Sequence, residues 1–167
     1  QVDSTSRSGL SMLSLIVERR TAAELGEPIA IDPATDDLSF FPLIYWPVTG
    51  RHATPSKAAV LQLNEYLRSG GTILFDTRDH QTGREAETMR RLALVLDIPP
   101  VQPVPVNHVL TRSFYLMREF PGRITGGRIW IERAGARIND GVSSVVVGNH
   151  DWAAAWAVDE SQQPLFP

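Results

Sequence analysis

One stretch constrains this chain more than any other: Tyr66-Leu67-Arg68-Ser69-Gly70-Gly71-Thr72-Ile73-Leu74-Phe75-Asp76-Thr77-Arg78-Asp79. It reads as a helix end, a glycine turn, a buried strand and a polar cluster at the strand's exit. That order is half of a βαβ unit. Open α/β sheets keep their ligand sites at the carboxyl ends of such strands, so Asp76, Thr77, Arg78 and Asp79 are the first candidate site.

The preceding residues supply the other half. Phe40-Phe41-Pro42-Leu43-Ile44-Tyr45-Trp46 is nearly continuous apolar sequence, as in a strand covered on both faces. Proline interrupts a ladder, so the strand should begin after Pro42. Thr54-Pro55 reads as an N-cap with proline at the first helical position. The helix carries Val60, Leu61, Leu63 and Leu67 and stops at Gly70-Gly71. Strand, helix and strand over about 30 residues predict a right-handed parallel crossover.

Elsewhere the signals are shorter. Residues 1–8 are polar and predict a frayed end, with a helix from Leu10 through Leu13, Ile16 and Val17. Ile29-Ala30-Ile31 predicts a short strand. Glu85 to Leu96 has helical spacing, with Met89, Leu92, Ala93 and Leu96 on one face. Ile98 to Val106 holds four prolines and should run extended over a surface. A helical turn is expected around Ser113 to Met117. Arg128 to Glu132 alternates as a half-exposed strand does, and Val145-Val146-Val147 is a buried strand ended by Gly148. Asp151 is placed to cap a helix through Ala153 to Ala157. Residues 159–167 show no closing element.

With 167 residues, 43% apolar and 21% charged, the chain has the size and core of one α/β domain. A net charge of −3 argues against nucleic acid and acidic membranes as partners. The absence of cysteine removes disulfides, thiolate metal sites and a cysteine nucleophile. No apolar run reaches the roughly 20 residues of a membrane span. The start at Gln1, without a signal-peptide pattern, reads as a piece of a longer polypeptide.

Two further clusters could carry chemistry. His108, Arg112 and Tyr115 offer a titrating base, an anion clamp and a phenol after the proline-rich run. Their plainer role is a loop histidine beside core aromatics. Asn149 and Asp151 stand at another strand exit, where they also suit a turn and a cap. Arg78 paired with a neighbouring aspartate would simply pin its loop. No histidine spacing suits zinc, and no dinucleotide, P-loop or serine-hydrolase motif occurs. No cofactor and no metal is implied.

Four ordered blocks together resemble a bacterial family, the domain of unknown function 4159. They are Phe40 to Pro47, Leu67 to Asp79, His108 to Tyr115 and Asn149 to Ala157, and the resemblance spans nearly the whole chain. It implies a three-layer flavodoxin-like sandwich, similar to the class I glutamine amidotransferases, with a mostly parallel central sheet. It also implies the C-terminal part of a membrane-anchored protein whose N-terminal segment resembles aerotolerance regulators. The tethering spans would lie outside this segment, which would not itself contact the membrane, and the side of the membrane stays open. The family continues past the equivalent of Phe166 with a further helical segment. Laid on the amidotransferase pattern, Thr77 falls at or beside the nucleophilic cysteine. Arg78 and Asp79 stand where small residues would admit substrate, and no His-x-Glu pair follows.

The expectation is therefore a non-catalytic binding or interaction domain with no catalytic residue. Its rim would consist of Asp76, Thr77, Arg78, Asp79, His108, Arg112, Tyr115, Asn149 and Asp151. The partner would be a protein, other domains of its own polypeptide, or a small polar ligand. The alternative is a hydrolase or sugar-processing enzyme using Asp and His without a covalent intermediate. A third reading has the domain packing structurally against its own polypeptide.

Overall fold

A computed structural model describes residues 2–50, 52–78, 84–112, 119–133 and 143–166. In chain order the elements are helix α1 (Val2–Arg20), a 3-10 turn (Leu38–Phe40), β1 (Leu43–Pro47), α2 (Lys57–Arg68), β2 (Thr72–Asp76) and α3 (Arg84–Val95). Then come β3 (Val101–Pro103), α4 (Val109–Arg112), β4 (Ile129–Glu132), β5 (Val145–Gly148) and α5 (Trp152–Trp156).

The strands form one open mixed sheet in the order β1-β2-β5-β4-β3. β1, β2 and β5 are parallel, with Tyr45 beside Leu74 and Asp76 beside Gly148. β4 runs antiparallel to β5, and β3 antiparallel to β4. Only β4 therefore opposes the common direction, although the pairings divide evenly between the two kinds. The expected β1–α2–β2 crossover is present, and β1 begins after Pro42 as proline's missing N–H requires.

Alternation along the strands sends residues to opposite faces. Ile44, Ile73, Phe75, Val145 and Val147 join Leu63 and Leu67 of α2 and Leu92 of α3 in one buried cluster. Ile129 and Ile131 face the other way and pack with Trp152, beside the partly buried Leu74, Val146 and Trp156. α1 packs against α5. Tyr66 ties α2 to the strand starts, because its hydroxyl donates to the carbonyls of Phe41 and Thr72 and accepts from Thr72 N–H.

Several expectations are corrected by packing. Residues 2–8 are helical and not frayed, since Ser8 Oγ bonds the Val158 carbonyl and Gly9 is buried against Ala153. Residues 29–31 lie outside any strand, because among the described residues no strand takes up their main chain. The α2 cap is Ser56, whose Oγ accepts from Ala59 N–H, so Thr54-Pro55 precedes the helix. The proline-rich run contributes edge strand β3, since Gln102 stands beside Ile131 of β4. After α5 the chain turns back in a bridge between Val158 and Pro164. The turn expected at Ser113 to Met117 lies outside the described residues, and α4 precedes it.

Candidate functional site

The site is built where β2 and β5 end side by side. Asp76 faces the α5 layer in register with Gly148, and its side chain is fully buried. Its Oδ1 accepts from the backbone N–H groups of Arg78 (3.2 Å) and Asp151 (3.1 Å). Its Oδ2 accepts from the Tyr45 hydroxyl (2.8 Å) and Trp152 N–H (2.7 Å). One carboxylate thus joins β1, the β2 exit and the first turn of α5. Burial raises the Asp76 pKa above its ordinary value, against the pull of these donors. Burial, and then the Asp76 charge, raise the Tyr45 pKa, so the phenol keeps its proton and remains a donor.

Arg78 does not pair with Asp76 through its side chain. Its Nε donates to Asp151 Oδ1 at 2.7 Å, while Arg123 Nε donates to Asp151 Oδ2 at 2.7 Å. Arg78 and Asp151 both take left-handed backbone, with φ of 55° and 51°. Such residues are held only where their surroundings over-determine them, and here the Asp76 bonds and the ion pair do so. The expected capping role of Asp151 is replaced for the same reason. It precedes α5 but makes no side-chain cap, because both carboxylate oxygens are taken by arginines.

The remaining rim is scaffold. Thr77 N–H and Oγ1 both donate to the Gly148 carbonyl, which holds the hydroxyl in the β2–β5 seam. Asn149 Oδ1 accepts from Arg128 N–H and fastens the preceding loop. His150 is fully buried and stacks on Trp152, with ring centres 4.8 Å apart. Gly122 and Gly127 make room for it: a β-carbon on either would stand within 2.7 Å of the His150 side chain.

Of the predicted site residues, Asp76, Thr77, Arg78, Asn149 and Asp151 gather at these two strand exits. His108 and Arg112 follow β3, which ends toward the same rim but lies three strands from β2, roughly 14 Å at ordinary strand spacing. Among the described residues, no hydrogen bond or ion pair joins them to the Asp76 group. Asp79 and Tyr115 lie outside the described residues. Sequence reasoning missed Tyr45 and Arg123. Tyr45 shares a sheet face with Asp76 two residues beyond its partner Leu74, a signal readable once the register is known. Arg123 sits in a loop with no motif.

Two histidines give a pH signature. Burial lowers the pKa of His52, against the opposing charge of Asp3, and burial lowers that of His108. A histidine that resists protonation when folded binds fewer protons than the unfolded chain between its two pKa values, so stability there rises with pH. Their contribution is complete above the unfolded value near 6.5 and is lost as pH falls through it toward the depressed folded values. Urea unfolding should therefore show a steeper loss between about pH 7.5 and 5.5 in the wild type than in His52→Gln/His108→Gln. Equal slopes would contradict the assignment.

Among the described residues, no three His, Asp or Glu side chains gather as a metal site requires. No described helix is long and apolar enough to cross a membrane. A search among curated proteins finds no match. The model of one family, the domain of unknown function DUF4159, matches residues 1–165. With the match covering all but the last two residues, the chain belongs to the DUF4159 family.

Proposed function

We propose that the chain is a non-catalytic binding domain that recognises an acidic group, a carboxylate or phosphate, at the Arg78–Asp151–Arg123 rim. The observation that carries this reading is how the polar atoms are spent. Both Asp76 oxygens, both Asp151 oxygens and the Thr77 hydroxyl are engaged in bonds that hold the fold. A general base or nucleophile needs a lone pair within reach of substrate. The Asp76 oxygens are fully buried under four donors, Asp151 is buried beneath its two arginines, and the Thr77 proton is committed to the Gly148 carbonyl. The two guanidiniums bond Asp151 through Nε alone among the described residues. Their side chains are 25% and 41% exposed, so the paired η nitrogens can form the forks that suit acidic groups.

The resemblance supplies the rest of the proposal: a degenerate class I amidotransferase-like, flavodoxin-like scaffold, serving a membrane-anchored bacterial polypeptide through a protein partner, its own other domains or a small polar ligand. The hydrolase alternative has no comparable support, since the Asp76 oxygens are occupied and His108 follows a strand three positions away.

Calorimetric titration with inorganic phosphate, citrate and an acidic peptide tests the rim. At least one should bind saturably with Kd of about 1 mM or tighter. Arg123→Ala should weaken it at least tenfold, because Arg123 is the more exposed of the pair and its loss leaves Asp151 with Arg78. Binding unchanged in that variant, or none by any probe, would reject the proposal.

A further inference from the structure

A concave site lies along the open edge of β1, with neither Arg78 nor Arg123 in its lining. It is a cleft of about 590 Å³, within the range of small-molecule sites. Consecutive residues Ile44 to Pro47 line it, so it follows the outer edge of the strand. Among the described residues β1 pairs with β2 alone in the sheet, and an edge strand presents main-chain carbonyls on its open side. Tyr45, Trp46 and His52 bring aromatic rings to the wall. Trp46 and His52 meet edge to face, with centres 6.3 Å apart.

Among the described residues that line this wall, the formal charges have one sign. Asp3, from the first turn of α1, and Asp32, from the segment crossing the edge, are its charged residues. Among the described residues no Lys or Arg lines it. The Asp3 charge bears on His52 in the direction opposite to burial, and burial prevails. Tyr45 adds a further bias. Its hydroxyl donates to the buried Asp76 carboxylate, which enriches the ring in electron density without removing its proton. Aromatic faces attract cations, most strongly when desolvated. Carboxylates and the negative ends of edge carbonyls also attract a quaternary ammonium through its charge, without any N–H donor.

We propose that this cleft binds a small organic cation, an ammonium group carried on a compact apolar body. The aromatic and proline wall takes the body, while Asp3 and Asp32 face the charge. An anion would meet two carboxylates there, and an uncharged apolar ligand would gain nothing from them. The site is independent of the arginine rim, so either can fail without the other.

The test compares choline, benzyltrimethylammonium and the uncharged tert-butyl isostere of choline by calorimetry and by the Trp46 indole resonance. At least one cation should bind saturably and shift that resonance, with the isostere weaker by about tenfold or more. Asp3→Asn/Asp32→Asn should weaken the cation about tenfold, and added salt should weaken it further. Asp3 is exposed and Asn keeps the Asp32 turn acceptor, so the variant should fold, as circular dichroism would show. Asp3→Asn alone provides a second reading with the turn untouched. Equal binding of the isostere, undiminished binding in both variants, or no saturation by either cation at about 10 mM would overturn the proposal.

Discussion

Replacing Asp76 with alanine should cost the fold about 3–5 kcal/mol, measured as the loss of unfolding free energy in urea. The side chain is fully buried and accepts from four donors, three of them backbone N–H groups. Each buried donor left without a partner costs about 1–3 kcal/mol. The loss is large against a typical total stability of about 5–15 kcal/mol. Tyr45→Phe keeps the measurement within range, because it removes a single donor and leaves the other three bonds. It should cost about 1 kcal/mol. Asp76→Asn should fall near alanine, since its amide turns donors against donors. A cost below about 1 kcal/mol for Asp76→Ala would mean that the carboxylate does not hold the β2 and α5 junction, and its burial would need another cause.

Gly9→Ala should destabilise by about 1–3 kcal/mol, although alanine is the better helix former. In an exposed helix interior this change gains roughly 0.5–1 kcal/mol. Here a β-carbon would stand 2.0 Å from the Ala153 carbonyl oxygen, so α1 or α5 must move. The sign of the change therefore separates propensity from packing. Gly26→Ala is the control, with nothing within 4 Å of its added carbon; it should be neutral or slightly stabilising. Thermal unfolding of the two variants, with amide exchange along α1, reads the difference. A stabilised Gly9→Ala would show that α1 is not seated on α5 as described.

Both results turn on contacts between distant parts of the chain, and the same distinction separates the readable residues from the rest. Val60 to Leu67, Gly70-Gly71 and Ile73 to Phe75 announce helix, stop and strand locally, because burial period and glycine conformations act over a few residues. Asp76, Thr77 and Arg78 were visible as a strand-exit cluster. Their assignments were not. Pairing of Arg78 with a neighbouring aspartate was one of two readings of that cluster, and its partner is Asp151, 73 residues on. Residues 2–8 look polar enough to fray, and only docking on α5 makes them helical.

The sequence by itself determined the α/β class, the β1–α2–β2 unit and the strand exit where Asp76, Thr77 and Arg78 gather. These follow from short-range periodicity and turn chemistry. Tertiary structure alone decided that β4 reverses, that Asp76 is a structural acceptor and that Asp151 gathers two arginines. A hydrogen bond depends on which atoms face each other, and strand order sets that across most of the chain's length.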